Sequence, residues 1–138
     1  MFQPRSWPSE CVPKKPVRRS ATLTPDARQD IRGISRWSEL KFGKEAAVRY
    51  RALLLQALRD LEADPARPGS KERPELMIPE ARTYHLSFSR NRAGRPGVKK
   101  PRHFILYRST SPGLIEIARV LHDSSDLARH VPADLQGE

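Results

Sequence analysis

Apolar residues recur every three or four positions through the first half of the chain. In the second half they alternate or run continuously. That change of period predicts helices followed by strands. Thr24-Pro25-Asp26 has the composition of a helix start: a capping hydroxyl, a proline suited to the first helical position, and an acid that complements the dipole. Ala27, Ile31, Ile34 and Trp37 then share one helical face, and Gly43 closes the element. A second helix is expected from about Lys44 to Ala63. Ala47, Tyr50, Leu54, Leu58 and Leu61 line one side of it, with Leu53 and Ala57 beside them. Arg49, Gln56, Arg59, Asp60 and Glu62 fall largely off that stripe, and Pro65 and Pro68 stop the helix. Two amphipathic helices joined this closely form an antiparallel hairpin, which needs a sheet to cover its apolar stripes.

The strands are expected on either side of this hairpin. Val17 to Leu23 fits a short first strand. Arg67 to Arg82 reads as a connecting loop. In Thr83 to Ser89, Tyr84, Leu86 and Phe88 alternate with His85, Ser87 and Ser89, the pattern of a half-buried strand. His103–Ser109 and Leu114–His122 are apolar on both faces apart from Arg108, Glu116 and Arg119, as central strands are. Between them Ser111-Pro112-Gly113 suits a type II turn. A short helix from about Ser125 to His130 would close the fold. The expected architecture is α+β in the order β-α-α-β-β-β-α, an antiparallel sheet with the helix hairpin packed on one face and the other face open. One domain spans residues 17–132, between a proline-rich basic tail (1–16) and a short C-terminal tail (133–138).

Charge adds the first functional hint. The 138 residues carry a formal net charge of +10 and a pI near 10.5. A surface of that sign attracts nucleic acid, ribosomes or an acidic protein. Residues 90–102 concentrate it, with six basic side chains (Arg90, Arg92, Arg95, Lys99, Lys100 and Arg102) and no acid. With Gly94, Pro96, Gly97 and Pro101, the segment reads as a long hairpin loop and the best candidate for target contact. It has no aromatic ring for stacking on bases. Cys11 is the lone cysteine, so no internal disulfide can form. No apolar run reaches the roughly 18 residues of a membrane span, and the N-terminus lacks a secretory apolar centre. A cytoplasmic protein with no membrane association is expected. Glycine-rich phosphate loops, Cys/His metal spacings and nucleophile elbows are absent from the sequence, so no cofactor or metal is expected.

Three stretches together resemble the C-terminal half of the RelE/ParE toxin superfamily, and the ParE branch more closely. They are Arg102-His103-Phe104-Ile105-Leu106-Tyr107-Arg108, Ile115 through Asp123, and Asp126-Leu127-Ala128-Arg129-His130. The helix hairpin with Trp37 and the Phe42-Gly43 turn has the place and length the family requires. The likeness covers about residues 20 to 132. The loop 90–102 is longer than the family's usual hairpin, and residues 1–16 have no counterpart. The resemblance implies the toxin of a type II toxin–antitoxin system, neutralised by a ParD-like antitoxin in a hetero-oligomeric complex. It implies inhibition of DNA gyrase by binding for the ParE branch, and ribosome-dependent cleavage of messenger RNA for the RelE branch. An inactive, antitoxin-binding family member is a third possibility.

Metal-free RNA cleavage would need a base for the 2′-hydroxyl, cations for the phosphate and an acid for the leaving oxygen. His85, Arg108, Arg119 and His122, all on expected strands, are the candidates. Arg108 and Arg119 also have a plain structural use as ion-pair partners, and His122 as a cap for the turn that follows it. Leu40, Phe42, Val48 and Leu55 fall outside the main helix stripes and are expected to form a groove for an antitoxin helix.

Overall fold

The computed structural model describes residues 20–94, 97–111 and 113–124. The expected tails, and the expected helix at 125–130, lie outside these residues. In chain order the elements are β1 (Ser20–Leu23), α1 (Pro25–Phe42), α2 (Lys44–Ala63), β2 (Lys71–Glu72), β3 (Ala81–His85), β4 (His103–Ser111) and β5 (Leu114–His122). Short 3-10 turns occupy Pro74–Leu76 and Leu86–Arg92. The helix hairpin lies against one face of a five-stranded sheet ordered β1-β5-β4-β3-β2.

Both helices form where the apolar period placed them. The Thr24 hydroxyl accepts from the Ala27 N–H at 3.0 Å and donates to the Ala118 carbonyl at 2.7 Å. One side chain thus caps α1 and ties it to β5. Gly43, at φ 96°, joins the helices: its N–H bonds the Glu39 carbonyl and its own carbonyl accepts from Ala47. Few residues other than glycine take that backbone angle without strain. Leu53, Leu54 and Leu61 of α2 are buried against Tyr84, Ile105, Tyr107, Ile115 and Ile117. Each such leucine contributes about 2 kcal/mol by leaving water.

The sheet departs from the antiparallel expectation at one edge. β4 pairs antiparallel with β3 and with β5, but β1 runs parallel to β5, with Ser20 opposite Leu114 and Leu23 opposite Ile117. The direction of β1 follows from its exit. Thr24 must leave the strand at Ile117 and Ala118, where its N–H and hydroxyl bond β5, and α1 then passes along the free edge of β5. There Asp30 of α1 replaces the missing strand. Its carboxylate accepts from the Val120 N–H at 2.9 Å and from the Arg119 guanidinium at 2.7 and 2.8 Å. Glu62 of α2 accepts from the Ala21 N–H at 3.0 Å. Backbone donors that would otherwise recruit a foreign strand are satisfied within the chain.

Two further segments differ from expectation. β3 ends at His85 rather than Ser89, because the polar residues that seemed solvent-facing serve other ends. His85 Nδ1 accepts from the Ser87 N–H at 3.1 Å and starts a 3-10 turn. Ser89 is fully buried, while Phe88 is exposed. The 67–82 connection is also more ordered than a loop: β2 pairs with β3, and Ile78, with Leu76 packed beside it, covers Leu106, Ala81 and Ala118 on the far side of the sheet. That second face is therefore partly covered rather than open.

Candidate functional site

One end of the sheet gathers three histidines. His85 closes β3, His103 opens β4 and His122 closes β5; His103 stands opposite His122, and their rings meet edge-on at 5.4 Å. His103 is buried beneath Trp37 and Tyr50. The Tyr50 hydroxyl accepts from the Arg102 N–H at 2.9 Å, so its own proton points to His103 Nδ1 at 2.7 Å. Burial pushes the Tyr50 hydroxyl up to about 12, which keeps it a donor. Burial, and then the neighbouring His122, push His103 down to about 4. It is a neutral ring built into the core.

The other two histidines are held by turns. Because the Ser87 N–H occupies Nδ1 of His85, the ring proton sits on Nε2 and donates to Asp123 at 3.2 Å. His122 Nδ1 accepts from the Ser124 N–H at 3.2 Å in the same manner. Slight burial opposes ionisation of Asp123, but hydrogen bonds from His85 and Arg102 hold its carboxyl below the ordinary range. Arg108 pairs with Glu116 across the β4–β5 ladder at 3.0 Å. Arg119 is bound by Asp30, whose hydrogen bonds raise its pKa further. Of the four candidates for nuclease chemistry, His85 and His122 approach one another at Asp123, while Arg108 and Arg119 are engaged elsewhere. Neither histidine keeps an unoccupied Nδ1 lone pair to take a proton from a substrate.

The basic segment divides in two. Arg92 is drawn into the fold: its Nε donates to both oxygens of Asp60 at 3.0 and 3.1 Å. Arg102 pairs with Asp123 at 3.3 Å, and Arg90 donates to the Lys99 carbonyl at 2.8 Å. Lys99 and Lys100 are exposed, and neither ammonium has a partner among the described residues. Arg95 lies outside those residues. The segment is thus anchored by arginines at its ends and presents lysines between them.

The anchor at Asp60 was not expected. This side chain, 2% exposed, sits on the buried face of α2, three residues after Ala57 and seven after Leu53, a spacing that could have flagged it. It accepts from Ser89 Oγ at 2.6 Å and Gln56 Nε2 at 2.9 Å, with Arg67 at 3.7 Å; the Tyr84 hydroxyl completes the chain by bonding Ser89. Burial alone would raise its pKa, but the Ser89 and Gln56 bonds and the Arg67 charge outweigh burial and lower it. His103, Tyr50 and Asp123 also went unflagged, because their partners lie far away along the chain.

The four surplus apolar residues are all exposed: Leu40 by 79%, Phe42 by 65%, Val48 by 57% and Leu55 by 50%. Phe42 packs edge-on against Trp37 at 5.7 Å. Val48 lines a groove of about 540 Å³ between α2 and Ala93-Gly94, with Ala52 and Arg49. Leu40, Phe42 and Leu55 are not among the residues that line it. No helix among the described residues is long and apolar enough to cross a membrane.

A helix hairpin on one face of a mainly antiparallel sheet, with apolar side chains left exposed on the hairpin, is a fold of the RelE/ParE kind. The family described as ParE toxin of type II toxin–antitoxin system, parDE, matches residues 21–127, and the chain belongs to that family. Among solved structures it is similar to a chain described as the chromosomal ParDE TA system from P. aeruginosa. The two share 15% identity and a TM-score of 0.56, over 76% of this chain and 96% of the other. No curated protein matches it.

Proposed function

We propose that the chain is the toxin of a ParDE-type pair, that it inhibits DNA gyrase by binding without chemistry of its own, and that a ParD-like antitoxin neutralises it. The observation that carries this reading is that no candidate catalytic side chain keeps a free basic lone pair: both histidines accept turn N–H groups at Nδ1, and both arginines are held in ion pairs. His85 and His122 hold turns, Arg108 pairs with Glu116, and Arg119 pairs with Asp30. Ribosome-dependent cleavage of messenger RNA would need a base free to take the 2′-hydroxyl proton, and with Nδ1 occupied neither ring keeps a lone pair for it. What remains free is surface. Lys99 and Lys100 are placed for a polyanionic target, and Leu40, Phe42, Val48 and Leu55 for an amphipathic antitoxin helix.

Purified toxin is expected to block supercoiling of relaxed plasmid by gyrase, and an equimolar ParD-like antitoxin to restore it. Cellular messenger RNA is expected to stay intact after induction. Cleaved transcripts together with unimpaired supercoiling would overturn the proposal in favour of the ribonuclease reading.

A further inference from the structure

Helix α1 carries like-charge repulsion that nothing among the described residues relieves. Arg28, Arg32 and Arg36 are exposed and fall four residues apart, about 6 Å per step along one stripe. Like charges at that spacing destabilise a helix. None of the three guanidinium groups has an ion pair or hydrogen bond among the described residues. Gly33 lies beside the stripe, and a Cβ there would meet nothing within 4 Å. Packing therefore does not require this glycine, although it weakens the helix; it leaves the backbone open to close approach. Arg51 of α2 adds a fourth cation, its Nη1 at 3.5 Å from Ser35 Oγ on α1. Within the span of the stripe Asp30 is turned inward to Arg119, and Glu39 is the one acid at its far end.

We infer that the outer face of α1, with Arg28, Arg32 and Arg36 and with Arg51 beside them, docks on the phosphate backbone of double-helical DNA. Guanidinium groups bind phosphate oxygens bidentately, which fits an all-arginine stripe better than lysine would. Its steps of about 6 Å exceed the roughly 3.4 Å of axial rise per phosphate of one strand, so each guanidinium can meet a phosphate of its own. The stripe has no aromatic ring, so it is not built to stack on single-stranded bases. An acidic amphipathic peptide or a membrane surface would need apolar anchors alongside the cations. Along α1 the residues beside the stripe are Gln29 and Gly33. Exposed apolar residues occur only at its far end (Leu40) and a turn either side of Arg51 (Val48 and Leu55). An acidic amphipathic partner is the competing occupant that the polyglutamate arm of the test reads. The contact reads charge and shape, not sequence, and it does not depend on which enzyme the toxin inhibits.

The test is fluorescence anisotropy of a labelled duplex of roughly 25 base pairs with the full chain, across a range of salt. The variant Arg28→Gln/Arg32→Gln/Arg36→Gln is expected to bind at least about tenfold more weakly. Its log–log salt dependence is expected to be shallower by about 2 to 3, close to 0.9 per lost phosphate contact. The corresponding triple lysine variant should keep the salt slope, and circular dichroism melts should match the parent for both. Parental affinity and slope in the glutamine variant would overturn the inference. So would loss of binding to a polyglutamate peptide with duplex binding intact, which would mark the stripe as a protein-docking face.

Discussion

Replacing Asp60 with alanine is expected to lower the unfolding free energy by about 3 to 4 kcal/mol, the usual cost of breaking a buried ion pair from one side. The carboxylate is the acceptor for Ser89, Gln56 and Arg92, and the counter-charge for Arg67. Arg67 Nε is already buried without a hydrogen-bond partner among the described residues. Without Asp60 its charge, and the Ser89 proton, would be left unpaired beneath the 86–92 turn. Asp60→Asn keeps an acceptor and removes the charge, so it should cost about half as much. Urea unfolding reads both, as a lower midpoint at an unchanged slope. An alanine variant within about 0.5 kcal/mol of the parent would mean that the cluster does not hold the turn to α2.

The second large effect is acid destabilisation through His103. Its folded-state pKa, about 4, lies below the ordinary 6.5 because its site is buried and His122 faces it. Between these values the unfolded chain binds a proton that the folded chain does not. The stabilising contribution is therefore complete above pH 6.5 and is lost progressively as the pH falls to about 4. The shift of about 2.5 units corresponds to about 3 kcal/mol. Stability measured at intervals over that window should fall steeply in the parent and flatten in His103→Phe. An equal slope in both would place the titration elsewhere. Asp123 and Asp60, whose pKa values are depressed, contribute their own loss only at lower pH.

Local pattern determined most of the architecture. The helix hairpin follows from the 3.6-residue period, Thr24-Pro25-Asp26 and Gly43, and the β4–β5 pair from two apolar runs either side of a proline-glycine turn. These signals are contained within a few residues of each other. What eluded sequence reading depends on distant partners. Whether Ser89 faces solvent or core is decided by Asp60, twenty-nine positions earlier along the chain. Whether β1 runs parallel is decided by Thr24 meeting Ala118. Among the candidate site residues, the turn and ion-pair roles of His122 and Arg108 were foreseeable, since Ser124 and Glu116 are close in sequence. The Arg119–Asp30 and His85–Asp123 pairs were not, nor was the drawing of Arg92 out of the basic loop. The exposed apolar set Leu40, Phe42, Val48 and Leu55 was readable because each falls off the stripe that faces the sheet, whereas Asp60, also read as off that stripe, is buried by its distant partners.

On the proposed reading the toxin acts through its surface rather than through proton-transferring side chains, and growth after induction of two variants separates the alternatives most directly. His85→Gln/His122→Gln should arrest growth as the parent does, because these rings serve turns. Arg95→Ala/Lys99→Ala/Lys100→Ala should fold normally and lose the arrest, because it removes cations placed for the target. Toxicity abolished in the histidine variant and preserved in the loop variant would contradict the account.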